Sequence, residues 1–416
     1  MEDGQRYQTL RRRLLVFAFA DEFVPLYAFY ALLFADNGLS PGQLSIALAA
    51  WSLTGMVFEV PSGALADRVS RRRLLAVATG LKAVGWVVWL LTPTLAGAVI
   101  GFALWGVSTA AVSGTFEALA YDELQRIGHA ERYTALTARL SQVSNVAIAA
   151  SSLTAAPLVA VVGMVGVGWV SVAIAGLAVV AVLRLPEAPA VEVEGTGFRA
   201  WWGTLRDGVS AARRTPVLAR LVVLGALAEG VAFIDEYLPL AARERGAGDV
   251  VVPLIALVAW IGFIVGAEVA ARRPHLSARV AALLSLVGAA GAAAALLSGA
   301  AVGISLFALL YAGMQTTSVL TEARLQEHAP AATRATVTSV RGVLMELMTL
   351  LGFAAVGAVT VGAGLTAGIS VILLPALAVA VLAARWLPPP AQTRPAGDEP
   401  AAPGEPAAVA GTALDG

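Results

Sequence analysis

Apolar runs of about 20 residues recur along almost the whole chain, separated by short polar connections. A helix of that length crosses the hydrocarbon core of a bilayer, and it satisfies all of its backbone hydrogen bonds internally. Of the 416 residues, 58% are hydrophobic and only 13% are charged. Soluble domains carry about 25% charged residues, so the pattern excludes a soluble globular protein. It predicts an all-α integral membrane protein, with the lipid bilayer as its surroundings.

The hydropathy pattern predicts twelve transmembrane helices, and an even number places both termini on the same side. Arginines gather in every second connection, whereas the other connections hold no lysine or arginine except Arg243 and Arg245. Under the positive-inside rule the arginine-rich connections and both termini are cytoplasmic, in a multi-pass protein of the cell inner (plasma) membrane. The predicted spans are 14–35, 43–62, 73–95, 97–120, 134–157, 162–183, 217–240, 250–271, 279–298, 301–322, 336–360 and 363–385.

The longest internal connection divides the spans six and six. It predicts an N-terminal six-helix bundle at 1–183, a cytoplasmic central loop with an interfacial helix at 184–216, a C-terminal six-helix bundle at 217–386 and a disordered cytoplasmic tail at 387–416. The alternative for the loop helix is a soluble linker helix packed on the protein.

The two halves resemble each other at a shift of roughly 208 residues. This shift pairs Glu22 with Glu229 and Tyr30 with Tyr237. Recurrence of charged residues is harder to ascribe to chance than recurrence of alanine and leucine. The repeat predicts two pseudo-symmetric bundles with a binding site at their interface, as in transporters built from repeats.

The segment GALADRVSRR, residues 63–72, combines small residues, an aspartate and several arginines directly after a membrane span. It resembles the loop signature between helices two and three of the major facilitator superfamily, with Ser70 in place of the usual glycine. FEVPSG before it and SGTFEALAYDEL in the fourth span are similar to a bacterial drug-efflux-like branch of that superfamily. The resemblance implies the major facilitator fold, namely two six-helix bundles around a central path.

The same resemblance implies a cytoplasmic gate. Asp67 would hold the halves together in the outward-facing state, and Arg71 would reach an acid at the foot of the fourth helix. Asp122 is the first candidate for that acid and Glu117 the second. We assign the gate to Asp67, Arg68, Arg71 and Asp122. The alternative is that the arginines only enforce topology.

Ionisable residues within the spans are costly in a bilayer and usually face a cavity or a partner. Apart from Lys82, all of them lie outside spans three, six, nine and twelve, which are peripheral in the superfamily. They therefore predict a polar path between the halves. They are Asp21, Glu22, Glu59, Lys82, Glu117, Arg139, Glu229, Asp235, Glu236, Glu268, Arg341 and Glu346.

Carboxylates that are buried without a partner can bind and release a proton near neutral pH. Asp21, Glu22 and Glu229 are the deepest and have no basic residue near them on their own helices. We therefore predict proton coupling by these three residues with Asp235 or Glu236. Of the adjacent Asp21 and Glu22, which point about 100° apart on a helix, Glu22 is the one expected to face the cavity.

The other intramembrane charges have structural readings. Glu59, Glu117 and Arg139 could form an ion-pair cluster near the cytoplasmic face, and Glu268 could pair with Arg272 one turn later. Lys82 could pair with Glu59 or Glu117, or extend to the interface. Asp235 and Glu236 could instead be solvated at the outer end. Arg341 and Glu346 complete the ion-pair candidates.

Substrate contacts are predicted from aromatic, methionine and amide side chains in spans one, five, seven and ten. Such side chains also serve packing. The candidates are Phe23, Tyr27, Tyr30, Gln142, Asn145, Phe233, Tyr237, Tyr311, Met314 and Gln315.

These features favour a monomeric secondary active transporter that works by alternating access, with a small-molecule substrate and protons as its partners. Efflux of a small amphipathic compound is the first reading. The fifth span lacks the Gly-Pro signature of many antiporters, so a proton-coupled importer is the alternative. A membrane-embedded enzyme is disfavoured, because His129, His275 and His328 fall in separate loops and the chain has no cysteine, Asp-rich metal motif or Gly-rich phosphate loop. We predict no catalytic residue, metal, cofactor or nucleic-acid partner.

Overall fold

The protein is described from a computed structural model that covers residues 2–66, 68–187, 202–203, 206, 209–210, 213–330 and 333–390. All regular elements within these ranges are helical, which confirms the all-α fold class. Asp67, most of the predicted loop helix and all but the first residues of the predicted tail lie outside the described residues.

The first half consists of helices that pack mainly against one another, with α3, α4 and α5 in extensive contact and α6 against α1 and α4. Short 3₁₀ segments at Pro25–Ala28 and Ala130–Arg132 interrupt them. The helices are α1 (Glu2–Glu22), α2 (Tyr30–Asp36), α3 (Pro41–Ala66), α4 (Arg71–Leu91), α5 (Leu95–Arg126) and α6 (Tyr133–Leu183).

The second half repeats this arrangement, and 3₁₀ segments at Val231–Tyr237 and Ala301–Leu306 interrupt its helices. Its helices are α7 (Pro216–Gly230), α8 (Leu238–Glu244), α9 (Val252–Arg272), α10 (Ala278–Leu297), α11 (Phe307–His328), α12 (Arg334–Ala363), α13 (Leu365–Ser370) and α14 (Leu373–Trp386).

Eleven helical stretches in the described ranges are long and apolar enough to cross a bilayer, where the sequence predicts twelve spans. The difference arises at α6, in which two helices that correspond to predicted spans five and six meet at a kink. Its backbone turns at Gly163, which has φ 69° and ψ 173°. A positive φ is accessible to glycine at little cost, so a single residue can reverse the chain direction here. The twelve-helix architecture is therefore retained.

The first and seventh spans are broken, although the hydropathy pattern predicts continuous helices. Pro25 explains the first break, because proline has no N–H for the carbonyl four residues earlier and its ring collides with that carbonyl. Pro239 lies beyond the 3₁₀ segment of the seventh span, in the first turn of α8, and does not account for the end of the helix at Gly230. The α-helix ends at Glu22 in the first span and at Gly230 in the seventh. A 3₁₀ segment follows in each case, so the breaks lie at corresponding positions of the two halves.

The two bundles meet mainly through α3 against α12 and α6 against α9. We call the end that carries the connections after α3, α5, α9 and α11 the basic end, and the opposite end the far end. Near the far end, Ser45 and Tyr237 share a buried 2.7 Å hydrogen bond. Gly357 permits the close approach, since a Cβ added there would lie 2.8 Å from the Cβ of Ser45. The far end is therefore closed.

Candidate functional site

The break in the first span leaves backbone groups that side chains of other helices satisfy. Pro25 cannot donate to the carbonyl of Asp21, and the Lys82 ammonium donates to that carbonyl at 3.0 Å instead. The Leu26 N–H donates to the hydroxyl of Ser171 in α6 at 3.0 Å. Because an unsatisfied backbone group in a membrane interior costs several kcal/mol, these contacts stabilise the non-helical segment.

Lys82 also forms an ion pair with the Asp21 carboxylate, with 2.6 Å between Nζ and Oδ1. Lys82 is 5% exposed and Asp21 is 9% exposed, so the pair is buried. This geometry corrects two expectations. Lys82 pairs with neither Glu59 nor Glu117, and Asp21 is not an unpartnered carboxylate. Lys82 therefore supplies from α4 both a donor for the freed carbonyl and a counter-charge for Asp21.

The break in the seventh span places two acids on a 3₁₀ turn. Asp235 and Glu236 are half-buried there, rather than solvated at an outer end. The Leu238 N–H donates to the Asp235 carbonyl, and the Tyr311 hydroxyl donates to the Ala232 carbonyl at 3.3 Å. The segment is thus supported by α11, as the first break is supported by α4 and α6.

Glu22 is half-buried and lies directly before the first break. No ion pair involves its carboxylate within the described part of the chain, whereas Asp21 beside it is paired. Tyr27 interacts electrostatically with Glu22 of the first break and with Glu236 of the second. Glu22 also interacts with Lys82 and with Asp21, so it belongs to the same group of charges without a direct ion pair of its own.

Arg341 organises the second half of the site. Its guanidinium pairs with Glu229 of α7 and, at 2.5 Å, with Glu322 of α11, and it donates to the Ser318 hydroxyl at 2.8 Å. Glu229 thus has a basic partner from α12, although its own helix offers none. Glu322 is the last residue of the tenth predicted span and is not among the predicted intramembrane charges.

Polar side chains also connect the bundles halfway along their length. Ser52 of α3 donates to Glu346 of α12 at 2.9 Å. Glu59 lies one to two turns nearer the basic end, is exposed and interacts with Ser113. The interface therefore presents carboxylates from both bundles at several depths.

Four tryptophans that are not among the predicted site residues form an aromatic cluster with Tyr27 and Tyr30 beside the first break. They are Trp51, Trp86, Trp89 and Trp105. Tyr27 stacks on Trp105 at a centroid distance of 5.1 Å, and Trp51 lies 5.2 Å from the same ring. Trp86 contacts Tyr27 edge-on at 6.1 Å and lies under the Lys82 ammonium. Tryptophan favours membrane interfaces, so its mid-span position was an available signal of a special environment.

The other predicted substrate contacts divide by burial. Tyr30, Tyr237, Tyr311 and Met314 are buried, and in this conformation they pack between helices. Phe23 stacks on exposed Phe19, and Phe233 packs on Phe353. The half-buried or exposed polar candidates are Gln142, Asn145 and Gln315.

At the basic end, Arg71 donates to Asp122, the first of the two acids considered for it. Ser70 caps α4 by accepting from the Arg73 N–H, and its hydroxyl donates to Glu187 at 2.6 Å. The Arg68 side chain is exposed, and Asp67 lies outside the described residues. The structure thus places the Arg71–Asp122 pair at the foot of α4 and α5.

The proposed cluster of Glu59, Glu117 and Arg139 does not form, although all three residues are described. Each is exposed, and Arg139 donates to Gln142 at 2.9 Å. Glu268 pairs with Arg272 at 2.6 Å, one turn later on α9. Of the ion-pair candidates, Glu268, Lys82 and Arg341 form ion pairs, whereas none is found within the described residues for Glu59, Glu117, Arg139 and Glu346.

Comparisons with known proteins agree with the helical arrangement. The sequence profile described as Major Facilitator Superfamily matches residues 14–352. The chain is 32% identical over 83 residues to the inner membrane transport protein YajR of Escherichia coli (strain K12). That match covers 20% of this chain and 18% of the relative's length.

Three solved structures show the same fold at 13–14% identity, which supports the fold alone. A bacterial homolog of the human lysosomal transporter Spinster, in an inward-facing and unoccupied conformation, has a TM-score of 0.72 and covers 92% of this chain and 98% of its own. For the nucleoside transporter NupG (D323A mutant) the TM-score is 0.68, and the match covers 90% of this chain and 98% of that structure. For a D-xylose-proton symporter the TM-score is 0.63, and the match covers 92% of this chain and 96% of that structure.

Proposed function

Because this chain belongs to the Major Facilitator Superfamily, we propose that it exports a small amphipathic compound in exchange for protons by alternating access. One observation carries the proposal: the first and seventh spans are broken at corresponding positions, and each break holds carboxylates. Discontinuous helices at the interface of two repeats are where transporters bind substrates and coupling ions.

Glu22 is the residue we assign to proton coupling. A carboxylate in a low-dielectric interior that forms no direct ion pair exchanges protons more readily near neutral pH than an ion-paired one. Glu22 is such a carboxylate, although Lys82 attracts it electrostatically. Asp21 and Glu229 have basic partners in this conformation, so they are secondary candidates that would act only if those pairs open. Asp235 and Glu236 would act from the opposite bundle.

With the arginine-rich connections in the cytoplasm, closure of the far end makes this conformation inward-open. In that state substrate would enter from the cytoplasm at the basic end. The Arg71–Asp122 pair belongs to the gate at that end. We propose both termini in the cytoplasm and a monomeric transporter. Import by proton symport remains the alternative, because the same geometry serves either direction.

Glu22→Gln should abolish pH-gradient-driven transport, since glutamine keeps the shape but holds no exchangeable charge. The measurement is uptake and efflux of a compound panel in proteoliposomes with an imposed pH gradient. Substrate exchange without a gradient should persist, and Glu268→Gln serves as the control because its pair is exposed on one helix. Full gradient-driven transport by Glu22→Gln would exclude this residue from proton coupling. Accumulation of substrate on the side to which protons flow would favour the importer.

The charges at the breaks favour a substrate that carries a positive charge. Five carboxylates lie in or directly before the breaks, and two basic side chains contact them. The faces of the partly buried rings in the aromatic cluster would add cation–π attraction. We expect organic cations to be transported at least about tenfold better than anions of similar size, a difference of about 1.4 kcal/mol. Equal rates for a matched cation and anion in the same vesicles would contradict this. The side chains concerned are Asp21, Glu22, Glu229, Asp235, Glu236, Lys82 and Arg341.

A further inference from the structure

Two arginines break the positive-inside pattern, and both lie at the far end. Arg243 lies in the last turn of α8 and Arg245 caps that helix, whereas the other connections on that side lack basic residues. A positive charge on the translocated side opposes the topology that the remaining arginines favour. Each of these arginines therefore needs a structural reason to be there.

Arg245 is explained within the second bundle. Its guanidinium donates to the carbonyls of Ala241 and Leu296 and to the Thr366 hydroxyl, at 2.9 to 3.3 Å. All four residues belong to the same half of the chain. These hydrogen bonds connect the ends of neighbouring helices in the second bundle, and none of them reaches the first bundle.

Arg243 differs because it connects the two bundles. It donates to Asp36 at the end of α2, with 2.6 Å between Nη1 and Oδ1, and its Nη2 lies 3.9 Å from the sulfur of Met164. Both of these residues belong to the first bundle. On its own side, Arg243 pairs with Asp249, which fixes the orientation of the guanidinium.

We propose that Arg243 and Asp36 form the far-end gate of the transport cycle, with Asp249 as the positioning residue. The proposal rests on alternating access, in which the far end must open when the basic end closes. The bond between Arg243 and Asp36 must then break, whereas the bond to Asp249 can persist. The nearby Ser45–Tyr237 bond opens with it. This role accounts for a basic residue at the far end despite the positive-inside rule, because Arg243 holds that end closed in one of the two states of the cycle.

The test measures the distance between the bundles at the far end. The chain has no cysteine, so spin labels on Asn37→Cys and Glu244→Cys report this distance without background labelling. Both positions are exposed. The distance distribution should contain a short distance from molecules closed at the far end and a long distance from open ones. We expect Asp36→Asn and Arg243→Gln each to raise the ratio of the open to the closed population about fivefold, because either change removes the ion pair that favours closure.

Arg245→Gln is the matched control, and it should leave the distance distribution unchanged. An unchanged distribution in Asp36→Asn, or an equal shift in Arg245→Gln, would overturn the proposal. Asp36 is 45% exposed, so its substitution should not impair folding, and it decides the outcome if Arg243→Gln is unstable. The readout is independent of protons and of transport direction. Failure of this gate would therefore be distinct from failure of proton-coupled efflux.

Discussion

Lys82→Met is expected to lower the free energy of unfolding by about 3–5 kcal/mol and to abolish transport. The substitution leaves the buried Asp21 carboxylate without its counter-charge and the Asp21 carbonyl without its donor. A buried charge deprived of its partner is far more costly than the intact pair. The measurement is thermal or denaturant unfolding of the purified protein in detergent, together with transport in proteoliposomes.

The double substitution Asp21→Asn with Lys82→Met should recover most of the lost stability, because no charge is then left unpaired. Recovery should be incomplete, since the carbonyl freed by Pro25 still lacks a donor. Lys82→Arg, which keeps the charge, should be milder than Lys82→Met. If Lys82→Met alone left stability and transport intact, the ion pair would not support the break in the first span.

Arg341→Gln should reduce transport at least about tenfold and lower the free energy of unfolding by about 2 kcal/mol. The change leaves Glu229 and Glu322 facing each other without the guanidinium between them. The expected loss is smaller than for Lys82 because the two acids are partly exposed, so solvent offsets part of the cost. Initial transport rates and unfolding in detergent give the two values.

Arg334→Gln is the matched comparison for Arg341. Arg334 begins the same helix, is exposed and, within the described residues, donates to the Ala329 carbonyl at 3.4 Å. It should change neither value by more than measurement error. Adding Glu229→Gln to Arg341→Gln should restore part of the stability, and a further loss instead would show that the two side chains act independently.

The membrane architecture follows from the sequence because a bilayer allows few solutions. Runs of about 20 apolar residues can cross only as helices, so length and hydropathy suffice. The break in the first span was also within reach, since Pro25 removes a backbone donor in the interior of that span. No such residue marks the end of the helix at Gly230, because Pro239 lies beyond the 3₁₀ segment. Hydropathy alone predicts both spans as continuous helices, because it depends on side-chain polarity and not on the presence of a backbone N–H.

The partners of the intramembrane charges could not be read from the sequence. Lys82 lies 61 residues from Asp21, and Glu229 lies 112 residues from Arg341. Which side chains meet depends on which helices adjoin and on the depth of each residue, and one sequence gives neither. Glu322 was missed for a related reason, because the limits of a span are uncertain by several residues.

The 3₁₀ segment Val231–Tyr237 also changes the rotational phase of the seventh span. Seven residues rise about 14 Å in a 3₁₀-helix but only about 10 Å in an α-helix, and they turn about 120° rather than 100° each. Side chains beyond the segment are therefore rotated by more than a third of a turn relative to an unbroken helix. Tyr237 and Arg243 follow this shift, and both contact the first bundle. A helical wheel drawn through the whole span would turn both side chains away from their partners.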